Sequence, residues 1–297
     1  MQYSKNQFLM WTDITITVNA NKNPLMDMYD AFAIFYSFEK EFSRFSENSE
    51  LSLLNKSREQ EVSDRFIDIL NLSIKVYHET NHYFNPLINL SNLWYSGDFW
   101  KWVFEKSDSI QNLDLDKISI FWNFVSLKEN QNLDFWWIVK WYTVDLCSQF
   151  LKTKWYNDFI INAGWDIYIS GNNNKWKTPV VAIGSPFNNT DIFAIMELKD
   201  ESISTSWTYK RKWNIDNNNY HHIINPISES NNNEIISVSI IHEKCIFADA
   251  YATTCIAMWI EKSLTFLNEK DIDWVIIWSD WMVYKTEWIE KYNFEVI

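Results

Sequence analysis

Leu133-Asp-Phe-Trp-Trp-Ile-Val-Lys-Trp-Tyr-Thr-Val-Asp145 is the stretch whose reading decides the fold. Its second half has apolar residues at helical spacing, and its first half is where an extended segment should turn into that helix. Such turns call for glycine, which reaches positive φ and lets a ligand or a second backbone come close. Instead Trp136, Trp137 and Trp141 stand between and beside the carboxylate of Asp134 and the ammonium of Lys140. Bulky indoles are the opposite of what the position asks for.

The whole chain shows the same inversion. Its 297 residues include 18 Trp and only 4 Gly, whereas glycine ordinarily makes up about 7% of a chain, or about 21 residues at this length. The two residue types together number about what glycine alone should. Lys154-Trp155-Tyr156, Asp273-Trp274 and Ser279-Asp280-Trp281 are turn-like contexts with tryptophan in the glycine seat. We read the gene as using a code in which UGA specifies glycine, with those codons rendered here as tryptophan. UGG at most of these positions would overturn that reading. A carbohydrate binder needs exposed indoles for stacking but has no reason to put them in turns.

With 47% hydrophobic and 22% charged residues the chain is globular. A net charge of −13 excludes a nucleic-acid or anionic-membrane surface, both of which need clustered Lys and Arg. The three cysteines, Cys147, Cys245 and Cys255, are odd in number and form no CxxC pair, which argues against a disulfide scaffold or a cysteine zinc site. Met1–Met10 has one lysine and no long apolar run, so no signal peptide or transmembrane helix is expected. The expected location is cytoplasmic, unless an export segment is missing from the N-terminus.

Outward from the opening stretch, the patterns predict a strand over 8–18 and a helix over 26–42 that buries Met28, Ala31, Phe32, Phe35 and Phe38. A polar loop over 43–55 runs into a short helix capped by Ser49. Asp64 is the expected cap of a helix over 65–80, with Phe66, Ile69, Leu70, Ile74 and Tyr77 on its buried face. A loop follows over 91–102, then two short strands within 114–127. The opening stretch leads into a helix over 142–151. Strand, glycine turn and strand follow over 158–169, with further strands at 180–183, 192–198 and 235–242. A helix of small residues spans 247–260, and a closing hairpin joins 273–277 to 282–285. Asn runs at 172–174, 217–219 and 231–233 mark exposed loops. No linker and no repeat interrupts the chain, so 1–297 reads as a single α+β domain with a mixed or antiparallel sheet.

Several segments carry chemistry. His78-Glu79-Thr80-Asn81-His82 fits H-E-x-x-H, in which two histidines one helical turn apart hold zinc and the glutamate is the base. The helix is ending there, at Asn81 and Asn85-Pro86, and histidines at a helix C-terminus also serve simply to complement its dipole. Asp249 and Thr253, four apart in Phe247-Ala-Asp-Ala-Tyr-Ala-Thr253, share a helix face and offer hard oxygen ligands suited to Mg²⁺. The plainer reading makes Asp249 a helix N-cap. His221 and His222 should point in different directions, one to a pocket and one to solvent. Ser204-Thr205-Ser206-Trp207 reads as a hydroxyl-rich loop fit for phosphate or ribose oxygens. No Walker A loop, GxGxxG or Gly-x-Ser-x-Gly elbow is present.

With tryptophan read as glycine, these segments together resemble the FAD:protein FMN transferase (ApbE-like) family. Met10-Trp11-Thr12 resembles its opening Met-Gly-Thr, and 42–55 its Phe-Ser-x-Tyr…Ser-Glu-Leu-x-x-Leu-Asn. The segment 80–86 is similar to that around Gly-Ala-Phe-Asp-Pro, and 133–145 to Leu-Asp-x-Gly-Gly-Ile-Ala-Lys-Gly-Tyr-x-x-Asp. Residues 161–171 resemble Val-Asn-Ala-Gly-Gly-Asp-Ile…Gly, 205–226 Thr-Ser-Gly…His-His-Ile-Ile-Asp-Pro, and 248–253 Ala-Asp-Ala-x-Ala-Thr. The order is right, from Met10 to Ser279.

The resemblance implies an enzyme that moves FMN from FAD to a Ser or Thr hydroxyl of an acceptor flavoprotein, typically a subunit of a membrane redox pump, with AMP leaving. It implies Mg²⁺ held by the side chains of Asp249 and Thr253 and by the backbone carbonyl of Trp137. It places Met10, Phe45, Tyr83, Phe84, Asn85, Asp134 and Lys140 around FAD and His222 by the pyrophosphate. Asp249 helps activate the acceptor hydroxyl. The chain departs from the pattern at Phe45, where a tyrosine hydroxyl is lost, at His82, a family glycine, and at Asn85 and Asn225, both family aspartates. Trp176 resembles a position where the family keeps a genuine tryptophan. Two other readings remain from the residues: a module that holds FAD without transferring it, and the zinc peptidase at His78 and His82.

Overall fold

The expected strand over 8–18 is two strands. Gln2–Leu9 (β1) and Thr12–Asn19 (β2) pair antiparallel, with Leu9 opposite Thr12. Met10 and Trp11 make the turn at φ 49° and 59°. A two-residue hairpin turn with both central residues at positive φ favours Asn-Gly, so Trp11 occupies a glycine seat.

A computed structural model describes residues 1–88, 111–164, 166–173, 175–188, 191–209, 212–215, 218–231 and 234–297. The loop expected over 91–102 lies outside them. Leu25–Phe42 (α1) buries all five predicted residues. Each of its fully buried phenylalanines contributes about 1.5–3 kcal/mol of transfer free energy. Glu50–Ser57 (α2) is capped as expected by Ser49, whose Oγ accepts from the backbone N–H of Ser52 at 3.1 Å. Glu59–Glu61 (β3) leads to Asp64–Glu79 (α3). The cap there is Ser63 rather than Asp64, because Ser63 Oγ takes the N–H of Phe66 at 3.2 Å while the Asp64 carboxylate accepts from Asn123.

Ser119–Phe121 (β4) and Phe124–Ser126 (β5) form a small sheet with β3. Trp136–Thr153 (α4) starts six residues earlier than the sequence pattern predicts. Asp158–Ala163 (β6) and Ile167–Ser170 (β7) follow. Gly164, at φ +71° between them, admits no side chain, since a Cβ would lie 2.2 Å from Thr12 Oγ1. Next come Val180–Gly184 (β8), Ile192–Glu197 (β9), Ser202–Trp207 (β10), Lys212–Ile215 (β11), Asn218–His221 (β12) and Ile235–His242 (β13). Cys245–Ala257 (α5) and Ile260–Lys270 (α6) precede Asp273–Trp278 (β14), Val283–Lys285 (β15) and Glu295–Val296 (β16).

The main sheet runs β1-β2-β6-β7-β10-β13-β14-β15, and all its pairings are antiparallel, which settles the choice between mixed and antiparallel. Both faces are buried along the strands β13 and β14. Along β14, Trp274 and Ile276 face the helices, while Val275 and Ile277 face a second core with Phe193, Met196, Ile289 and Tyr292. Period-two alternation thus supplies two cores from one strand.

Among the described residues, fourteen non-glycine residues have positive φ, and five of them are tryptophans: Trp11, Trp122, Trp155, Trp176 and Trp281. A bulky residue there costs about 1–2 kcal/mol, and all five indoles are exposed, with no buried packing to offset it. Trp176 shares this backbone conformation, although its resemblance is to a position where the family keeps tryptophan. Trp274 corrects the opposite way, being buried in β14 rather than set in a turn. Trp136, Trp137 and Trp141 are helical, so glycine is wanted there for room and not for positive φ.

Candidate active site

Asp134 launches α4. Its Oδ1 accepts from the backbone N–H of Trp136 at 2.9 Å, its own N–H donates to the Pro86 carbonyl at 2.8 Å, and its Oδ2 pairs with Arg44. Asn55 clamps the residue before it, donating to the Leu133 carbonyl and accepting from the Leu133 N–H, both at 2.8 Å. Eleven positions on, Asp145 accepts from the N–H groups of Cys245 at 2.8 Å and Ile246 at 3.2 Å, in the first turn of α5. A carboxylate at a helix N-terminus satisfies donors that have no partner inside the helix. The opening stretch therefore fixes α5, and α5 carries Asp249 and Thr253.

A cavity of about 320 Å³ opens where these elements meet the β1–β2 turn and β10. Of the predicted site residues it brings together Met10, Trp137, Lys140, His222, Asp249 and Thr253. Tyr83, Phe84 and Asn85 line an adjoining pocket that shares Trp137, His222 and Thr253. Lys262 donates to the Tyr83 hydroxyl at 2.8 Å, and Asn85 donates to the Leu113 carbonyl at 2.7 Å. Phe45 and Asp134 line neither space. Phe45 is partly exposed, its ring 5.2 Å from that of Trp11 and 6.4 Å from that of Trp136. The indole of Trp137 stacks on His222, with centroids 5.5 Å apart.

The floor of the cavity is acidic. Asp249 and Asp166 are both buried, and Lys140 Nζ lies 3.9 Å from Asp166 Oδ2. Burial pushes the Asp166 carboxyl up to about 7, against the pull of Lys140 and of hydrogen bonds from Ser204 and the Thr205 N–H. Burial also raises Asp249 well above the ordinary carboxylate range, helped by the negative Asp166 and opposed by Lys140 and the Trp141 indole N–H. Thr253 Oγ1 lies 3.0 Å from Ser206 Oγ. Two buried carboxylates and two hydroxyls, with one ammonium beside them, make a hard-oxygen donor set of the kind that holds Mg²⁺.

Several expectations need correction. Ser204–Trp207 belongs to the strand β10, where it pairs with β13, and is not a loop; Thr205 and Ser206 reach the cavity from that strand. His221 is not the solvent-facing partner of His222; it is buried, with Asn231 donating to its carbonyl at 2.8 Å. Asp249 sits inside α5 and caps nothing. In the H-E-x-x-H segment, α3 ends at Glu79, and the Glu79 carboxylate accepts from the Tyr251 hydroxyl at 2.7 Å and pairs with Lys270 at 3.4 Å. Glu79 is thus committed to Tyr251 and Lys270, which counts against its serving as the base of a peptidase.

Asp166, Arg44 and Asp145 were not singled out from the sequence as functional residues. Asp166 and Asp145 lie inside the segments that carried the family resemblance. Arg44 is an ordinary surface arginine until Asp134 is seen beside it.

The sequence profile of the ApbE family matches residues 10–276. The chain belongs to the ApbE family. The FAD:protein FMN transferase of Chlamydia trachomatis is 26% identical over 266 residues, covering 80% of this chain and 78% of its own. That of Vibrio cholerae is 25% identical over 250 residues, covering 80% and 75%. The ApbE protein of Thermotoga maritima superposes with a TM-score of 0.88 at 21% identity, over 98% of this chain and 99% of its own. At that identity the likeness speaks for the ApbE fold.

Proposed function

We propose that this ApbE-family chain transfers FMN from FAD to a Ser or Thr hydroxyl of an acceptor flavoprotein, releasing AMP, and that it depends on Mg²⁺. The observation that carries the reading is the convergence of Lys140, His222, Asp166, Asp249 and Thr253 on one cavity, in a chain whose curated relatives are named FAD:protein FMN transferases.

Phosphoryl transfer asks mainly for positioning and for neutralisation of charge. The side chains of Asp249 and Thr253 and the backbone carbonyl of Trp137 would hold Mg²⁺, which would supply positive charge to the pyrophosphate. Lys140 and His222 flank the same anion, and Tyr83 and Phe84 wall the neighbouring pocket for an aromatic portion of FAD. The acceptor oxygen attacks the phosphorus of the FMN half, the bond to the AMP oxygen breaks, and Asp249 takes the hydroxyl proton. A general base of this kind contributes about 10²–10⁴-fold.

The test follows FAD by chromatography, with Mg²⁺ and the soluble domain of a redox-pump subunit as acceptor. Loss of FAD with equimolar AMP, dependent on acceptor and on Mg²⁺, supports transfer. FAD bound without AMP appearing would leave only the non-catalytic flavin module.

A further inference from the structure

Beyond the flavin cavity, His78, His82 and Asp116 converge, with one ligand atom from each lying within 4.8 Å of the others. We propose that these three side chains form a second metal site, taking Zn²⁺ or a similar borderline divalent cation and not Mg²⁺.

The site is assembled by the end of α3 and not along it. After Glu79 the chain turns through Asn81 and His82 at φ 49° and 69°, and the His82 N–H donates to the Tyr77 carbonyl at 2.8 Å. The left-handed turn swings the His82 ring back onto Tyr77, at 4.1 Å between centroids and 8° between planes. In that position the imidazole lies 5.9 Å from the ring of His78. Asp116 arrives from the 3-10 helix Leu115–Lys117, held against α3 by a hydrogen bond between the Tyr77 hydroxyl and the backbone of Leu115. Its Oδ1 already lies 2.9 Å from His78 Nε2.

Tetrahedral Zn²⁺ at about 2.0–2.1 Å from its nitrogens spaces its ligand atoms about 3.3 Å apart. The ligand atoms need close by no more than about 1.5 Å, and all three side chains are exposed enough to move. Two imidazoles and one carboxylate favour zinc over magnesium, which prefers oxygens alone. Three protein ligands leave a fourth position for water. The Glu79 carboxylate is held by Tyr251 and Lys270 and takes no part in the site. Its effect is to staple α3 to Leu115–Lys117 across the turn that continues into Tyr83, Phe84 and Asn85.

The test is equilibrium dialysis of the full chain against Zn²⁺ with excess Mg²⁺ present, read by metal analysis and by Tm. One Zn²⁺ per chain and a raised Tm are expected. Changing an outer-shell residue costs about 10–100-fold in metal affinity, so His78→Ala, Asp116→Ala and His82→Asn, each removing a direct ligand, should lose more than that. Asn tolerates the left-handed backbone at 82, so circular dichroism of this variant should match the parent. Failure of the parent chain to bind Zn²⁺ at micromolar concentration, or retention of its affinity in the His82→Asn variant, overturns the proposal. Neither readout depends on flavin transfer.

Discussion

Asp145 should make the protein less stable as pH rises, and Asp145→Asn should remove that dependence. Its carboxyl is buried where α4 meets the start of α5 and is pushed up to about 6 by burial, against the pull of the Cys245 and Ile246 N–H groups and of Lys244. Its ordinary value is 3.8. The folded state therefore holds the proton more tightly than the unfolded state does, and stability falls with pH wherever the two differ. The contribution is fully present below about 4 and is lost as pH rises through about 6. A shift of about two units corresponds to about 3 kcal/mol in full, of which about 2 kcal/mol falls between pH 4.5 and 7. Urea denaturation of the parent and of Asp145→Asn at both pH values gives this directly as a difference of differences. The variant removes this titration and, because an amide nitrogen cannot accept, one of the two N–H bonds as well; that second loss is the same at both pH values and cancels in the difference, and the other buried acids remain in both proteins. A parent-minus-variant difference that is flat from pH 4.5 to 7, or that grows in favour of the parent, would refute the claim that burial dominates at Asp145.

Asp249→Asn should cut transfer by about 10²–10⁴-fold, while the Kd for FAD changes by less than about tenfold, or about 1.4 kcal/mol; stopped assays and fluorescence titration of FAD separate the two. Replacing Trp136, Trp137 and Trp141 together by glycine should tighten FAD binding by about tenfold or more, because these indoles line the cavity; an unchanged Kd would show that they do not obstruct it. Trp122→Gly should raise stability by about 1 kcal/mol, since this residue is at φ 55° and 84% exposed in the β4–β5 turn. A denaturation midpoint that stays put or falls counts against the glycine-seat reading.

Much of the fold was legible because its signals are local. The α1 core positions, the Ser49 cap and the β14–β15 hairpin follow from periodicity and turn chemistry over a few residues. The β1–β2 turn was missed because Met10-Trp11 carries no turn residue as printed, although its backbone is that of an Asn-Gly turn. The late start assigned to α4 has the same cause, since Trp136-Trp137 resembles neither a cap nor a glycine turn. Cap choice between Ser63 and Asp64 depended on Asn123, fifty-nine residues away, which engages Asp64. In the site, Asp249, Thr253 and Lys140 could be found from spacing and resemblance. Asp166 could not be weighed without knowing that it lies buried 3.9 Å from Lys140, because a single carboxylate in a strand turn says nothing of its surroundings. Ser204–Trp207 read as a loop from its hydroxyls, yet pairing of all four residues with β13 overrides composition.

The central claim is covalent transfer of FMN to protein. Intact-mass spectrometry of the acceptor domain, after incubation with the enzyme, FAD and Mg²⁺, tests it most directly. A gain of one FMN is expected, located by fragmentation on a Ser or Thr and absent when that residue is replaced by Ala. An acceptor of unchanged mass, with FAD still intact and bound to the enzyme, would contradict it.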